Sequence, residues 1–306
     1  GNEVVFTTRP DLPSLSAVTL SNMTTTTTQG SATILTDGGV EITARGLVWN
    51  KTGNPTLDDN IVPADDAKSG AFAVTVTGLS EGTIYYVRGY ATNSAGTAYG
   101  PVEPFKMCEP ELTIQHVEAV DGAPETKSVR YEIVSSNISG EPRCWITQNL
   151  GASKQASSSG DADPAAAGWY WQYGTSAGYV HDGTVPKATG WVAVDMGSWP
   201  LAKDPCTLML GAGWRVPTSA EWQKADGAPQ NWLNSNDTYN SVLKLHAGGY
   251  LNTDGTLRDR GTTCRYWSSS SASVFVSSRY FLNVGATVSS IGTAYSFYGF
   301  SVRCLK

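Results

Sequence analysis

All five cysteines of this 306-residue chain, and nine of its ten tryptophans, fall after residue 107. A chain built around one core would mix these residues throughout. Their segregation places a boundary near Cys108, giving one domain over residues 1–107 and a second over 108–306. The cysteines are Cys108, Cys144, Cys206, Cys264 and Cys304, and none forms a C-x-x-C pair. A zinc site or a thioredoxin-like motif is therefore not expected, and the wide spacing suits disulfides in an oxidising compartment. The odd count leaves at least one thiol unpaired within the monomer.

Composition narrows the partners. Charged residues are 16% of the chain and the formal net charge is −6, so no basic field attracts nucleic acid or anionic lipid. No apolar run approaches the ~18 residues of a membrane span. The opening Gly1-Asn2-Glu3-Val4 reads as the start of a trimmed chain, with an export signal or lipid-anchor cysteine expected upstream.

Residues 16–106 alternate apolar and polar side chains, as in Ala32-Thr33-Ile34 and Phe72-Ala73-Val74-Thr75-Val76. Period two indicates half-buried strands, and turns such as Asp37-Gly38-Gly39 and Asn93-Ser94-Ala95-Gly96 separate them. The stretch from Gly78 to Gly96 resembles the E–F corner and strand F of fibronectin type III domains. The matching positions are Leu79, Tyr85, Val87, Ala91, Asn93 and Gly96. That resemblance implies an all-β immunoglobulin-like sandwich with a tyrosine corner, serving as spacer or interaction module. Asp58, Asp59, Asp65 and Asp66 lack EF-hand spacing and read as a solvated acidic loop.

Beyond Cys108 the character changes. Leu112–Ile133 alternates around Asp121-Gly122 and predicts a hairpin. Thr218 and Glu221 predict a capping box after Pro217, with Trp222 facing the core. Tyr266-Trp267 and Phe300-Ser301-Val302 read as short strands. Further blocks are Cys144-Trp145-Ile146-Thr147-Gln148-Asn149-Leu150-Gly151, Gly213-Trp214-Arg215-Val216-Pro217, Leu243-Lys244-Leu245-His246-Ala247-Gly248-Gly249-Tyr250 and Tyr298-Gly299-Phe300-Ser301-Val302-Arg303-Cys304. In this order they resemble the Fibrobacter succinogenes major paralogous domain family of Bacteroidetes and related surface proteins. The resemblance implies an α+β C-type-lectin-like domain. It also implies a Cys206–Cys304 bridge and a Cys108–Cys144 bridge, with Cys264 free or intermolecular; Cys144–Cys264 is the alternative.

Three partial motifs point to other chemistries. Gly174-Thr175-Ser176-Ala177-Gly178 matches the G-x-S-x-G pattern of hydrolases, with His181-Asp182 close by. A nucleophile elbow needs a strand before it and a helix after it, which the flanking aromatic and Gly-rich sequence does not offer. The blocks Arg215–Trp222 and Gly299–Cys304 also look like formylglycine-generating enzymes, but the pair of reactive cysteines those enzymes need has no place here. Glu141-Pro142-Arg143 and Ser235-Asn236-Asp237 depart from the calcium and sugar motifs of animal C-type lectins. No cofactor is therefore expected, and calcium has no motif behind it; Asn236 and Asp237 read as a polar turn. His116, His181 and His246 are scattered.

Trp169, Trp171 and Tyr173, with Trp191 and Trp199, are the candidate ligand-binding residues. Flat rings pack on the apolar face of a pyranose, and core packing is the competing role. The expected protein is an exported, non-catalytic surface protein that binds a glycan or a surface-protein receptor. The alternatives are a structural or tip subunit of a fimbria-like envelope assembly, and an enzyme on the formylglycine-generating scaffold.

Overall fold

A computed structural model of the chain describes residues 9–193, 199–271 and 278–306. The chain divides into two compact units, residues 1–109 and 110–306.

The first unit is an all-β, immunoglobulin-like sandwich. Its strands are β1 (Ser14–Leu15), β2 (Thr19–Ser21), β3 (Thr28–Thr36), β4 (Ala44–Asn50), β5 (Asn60–Pro63), β6 (Gly70–Val76), β7 (Ile84–Asn93), β8 (Gly96–Tyr99) and β9 (Glu103–Lys106). One sheet has β3 between β1 and β2, with β6 also paired to β3. The other runs β5-β4-β7-β8, with β9 also paired to β7. Period-two alternation sends Ile34, Leu47, Phe72, Val76 and Val87 into one shared core. The tyrosine corner forms as the sequence predicts. Tyr85 is fully buried, and its hydroxyl accepts a 2.9 Å hydrogen bond from the Ser80 amide. Leu79 is buried beside it. The acidic loop is held by ordinary contacts: Asp66 pairs with Arg45, and Asp59 accepts from the Thr56 amide at 2.8 Å.

The second unit begins with β10 (Glu111–His116) and β11 (Lys127–Ser136), the hairpin expected around Asp121-Gly122. Then come β12 (Arg143–Ile146), α1 (Pro164–Ala167), β13 (Tyr170–Gln172), β14 (Gly178–Tyr179), α2 (Pro205–Leu210), α3 (Ser219–Asp226) and α4 (Ser235–Asn240). The last strands are β15 (Tyr250–Leu251), β16 (Leu257–Arg258), β17 (Thr263–Ser271), β18 (Ser278–Gly285), β19 (Val288–Tyr295) and β20 (Gly299–Phe300). They form sheets ordered β10-β11-β12, β14-β13-β20-β15-β16 and β17-β18-β19.

The two ends of this unit pair with each other. The Cys144 amide donates to the Lys306 carbonyl at 3.0 Å, and Lys306 donates back to Cys144 at 2.8 Å. Cys206, on α2, is bonded to Cys304 next to the chain end. Cys144 is also disulfide-bonded, and Cys264 is free and buried. At the start of α3, Thr218 Oγ1 accepts from the Glu221 amide at 3.2 Å, and Glu221 accepts from the Thr218 amide at 2.8 Å. This capping box satisfies donors that the first helical turn leaves open. It also aims Trp222 into a core with Trp145, Leu245, Tyr266 and Leu282.

Candidate functional site

Four of the five aromatics expected to meet ligand lie in the interior. Trp169, Trp171, Tyr173 and Trp199 are buried. Trp171 lies on β13, all three residues of which are buried, and its flanking rings are covered by side chains of other segments. Trp169 donates through Nε1 to Glu125 at 3.0 Å and packs 5.1 Å from the His116 ring. Tyr173 packs between Trp199 and Trp267, at 5.1 and 5.6 Å, and its hydroxyl donates to the Ser269 carbonyl. Trp191 is half-buried against Tyr179, with Nε1 donating to the Thr253 carbonyl at 3.0 Å. Gly299 makes room for it, since a Cβ there would lie 2.9 Å from the Trp191 ring and 2.8 Å from Leu251 Cβ. These residues are packing elements, and they do not form a shared ligand-facing platform.

A different set of rings does reach the surface. In β17, side chains alternate between faces of the sheet. Cys264 and Tyr266 point into the core with Val284, Leu282 and Ile291. Arg265, between them, falls on the opposite face. There its guanidinium carbon lies 3.9 Å from the Tyr250 ring centroid, 5.4 Å from Phe281, 5.4 Å from Phe300 and 6.0 Å from Tyr298. Phe281 and Phe300 are the buried floor, while Tyr250 and Tyr298 are half-exposed. Tyr298 continues into Phe297 at 6.3 Å, and Phe297 stacks on Tyr295 at 5.1 Å with an interplanar angle of 9°. Tyr295 is 55% exposed.

Polar groups border these rings. Antiparallel register puts Asn283 opposite Arg265, and Ser290 opposite Asn283, on one face of the sheet. Both are half-buried. Among the described residues no ion pair or side-chain hydrogen bond engages Arg265, Asn283 or Ser290. Arg265 Nε is buried with no acceptor. Burial raises the Tyr250 phenol above its ordinary value, against the pull of Arg265 and with the push of the nearby Asp259 carboxylate. The arrangement can stack a flat apolar surface on Tyr250 and Tyr298 while donating hydrogen bonds from Arg265 and Asn283.

The other sequence candidates are placed elsewhere. Ser176 lies in the turn between β13 and β14, a hairpin with no helix after it. The nearby His181 is buried, and its Nδ1 accepts from the Gly183 amide at 3.1 Å. His116 is buried with Nε2 2.8 Å from the Tyr131 hydroxyl and Nδ1 3.6 Å from Asp121. Its ring is fully buried and packs edge-on against Trp169. Asn236 and Asp237 open α4: Asp237 accepts from the Leu233 amide, and Asn236 accepts from the Ser159 hydroxyl. Among the described residues no group of three or more His, Cys, Asp or Glu side chains is placed to hold a metal ion. Four of the five cysteines are disulfide-bonded, and burial pushes the Cys264 thiol above its ordinary value. A buried thiol with a raised pKa is a poor nucleophile. No helix among the described residues is long and apolar enough to cross a membrane.

No protein-family model and no curated protein matches the chain. Solved structures similar to part of it include the sixth fibronectin type III domain of human fibronectin type III domain containing protein 3. That domain is 17% identical, covering 34% of this chain and 92% of that one, with a TM-score of 0.25. A fibronectin III domain of human collagen XX is 17% identical over 34% of this chain and 99% of that one, with a TM-score of 0.24. The sensor domain of the anti-sigma factor RsgI4 from Pseudobacteroides cellulosolvens is 16% identical over 32% of this chain and 97% of that one, with a TM-score of 0.25.

Proposed function

We propose that the chain is a non-catalytic, exported surface protein that recognises a glycan through the Tyr250 and Tyr298 face of its second unit. The observation that carries this reading is the half-exposed ring cluster around Arg265. Exposed aromatics beside uncommitted polar groups suit sugar rings, which are apolar on one face and hydroxylated at the edge. The first unit, read as fibronectin type III-like, is a spacer that presents the second. The second is read as C-type-lectin-like. Its paired ends and the bridge from α2 to the last segment support that reading. The disulfides suit an oxidising compartment outside the cytoplasm.

A glycan array probed with the whole protein and with a Tyr298→Ala variant tests the proposal. Binding to a defined subset of glycans, lost in the variant while the melting temperature holds, is the expected result. An array silent with the native protein counts against it.

One observation favours the envelope-assembly alternative. Strand β19 pairs only with β18 among the described residues and is exposed or half-exposed throughout. An open edge strand can accept a strand from another chain. Concentration-dependent oligomers that a Thr293→Pro change disperses would support assembly through that edge, since Thr293 sits in a non-hydrogen-bonded pair and its amide faces outward.

A further inference from the structure

We infer that the Arg265 face selects acidic sugars, binding the carboxylate of a uronic-acid-type residue. This rests on the glycan reading above and names the class of its ligand. The inference starts from a missing counter-ion. The chain carries 27 acidic residues against 21 basic ones, yet no carboxylate pairs with Arg265 among the described residues. Other partly buried arginines of the protein have an acceptor: Arg45 pairs with Asp66 and Arg215 with Glu221, while Arg88 donates to the Pro55 carbonyl and Arg260 to the His181 carbonyl. Arg265 is instead set among four rings.

Stacking occupies the flat face of a guanidinium and leaves the N–H donors in its plane uncommitted. Those donors form a fork that matches a carboxylate bidentately. Asn283 and Ser290 extend the row of donors across three strands, β17 to β19. At ~4.8 Å between strands the row spans roughly 10 Å, about the reach of a disaccharide. The carboxylate would meet Arg265, the ring faces would lie on Tyr250 and Tyr298, and the hydroxyls would meet Asn283 and Ser290. Asp259 acts on the Tyr250 phenol and, among the described residues, is not ion-paired with Arg265.

Titration calorimetry of the whole protein, with a uronic-acid tetrasaccharide and with the same tetrasaccharide after carboxyl reduction, tests the inference. The acidic form should bind roughly tenfold tighter or better, with affinity falling as sodium chloride is added. Arg265→Lys keeps the charge and loses the fork, so the preference should shrink. Asn283→Asp gives Arg265 an internal counter-ion from a half-buried surface position, and should remove the preference while the protein stays folded. Equal affinity for both forms overturns the inference and leaves glycan recognition standing. Binding of neither form, with a glycan array also silent, overturns both.

Discussion

The guanidinium carbon of Arg265 lies 3.9 Å from the centroid of the Tyr250 ring, although fourteen residues separate the two in sequence. β15 and β17 bring them together, and the stack fixes a long, otherwise mobile cation at one place on the surface. A desolvated cation–π contact is worth about 2 kcal/mol, and an exposed one about 0.5–1 kcal/mol. Tyr250→Ala should therefore lower thermal stability modestly and weaken ligand binding strongly, since the cation loses its seat. Tyr250→Phe should do neither. Melting curves and binding isotherms for both variants check this.

The Tyr85 hydroxyl holds the Ser80 amide in the first unit. Tyr85→Phe keeps the buried ring and removes the acceptor, so it should destabilise that unit by ~1 kcal/mol. Chemical denaturation followed by Trp49 fluorescence, 5.4 Å from the Tyr85 ring, reads the change. Ligand binding by the second unit should be unaffected.

In the second unit, the Cys206–Cys304 bridge and the Thr218 cap act near the paired chain ends. Replacing both cysteines by serine should cost about 2–4 kcal/mol. Thr218→Ala should cost ~1 kcal/mol, through loss of one accepted hydrogen bond at the helix start. Urea titrations of each variant give these differences directly.

His246 predicts a pH dependence. It is buried, and burial, then the cation of Arg303, push its imidazole down to about 3, with a smaller opposing pull from Asp161. An unfolded histidine titrates near 6.5. Below pH 6.5 the unfolded chain therefore takes up a proton that the folded chain refuses. Stability present above pH 6.5 is lost progressively as the pH falls toward 3. His246→Gln should flatten the slope of stability against pH in that window, whatever its effect at neutral pH. Identical slopes in variant and native protein would contradict the assignment.

Features set by neighbouring residues were legible in the sequence. The tyrosine corner spans Leu79 to Tyr85, the capping box spans Thr218 to Glu221, and the first hairpin of the second unit turns at Asp121-Gly122. Each is fixed by local geometry. The candidate site was not legible, because it joins Tyr250, Arg265, Asn283 and Tyr298 from separate segments. Density of aromatics pointed to Trp169, Trp171 and Tyr173 instead, and these rings are buried against His116, against each other and against Trp267. A signal was present in Cys264-Arg265-Tyr266-Trp267: a charged residue between core residues of a strand falls on the other face. The closely spaced Tyr295, Phe297 and Tyr298 offered a second.

The most direct measurement is a nuclear magnetic resonance titration of the whole protein with a uronic-acid tetrasaccharide. The account predicts shift changes centred on Tyr250, Arg265, Asn283, Ser290 and Tyr298, with the Trp169 and Trp171 indoles unmoved. Saturable shifts confined to other surfaces, with this face silent, would contradict it.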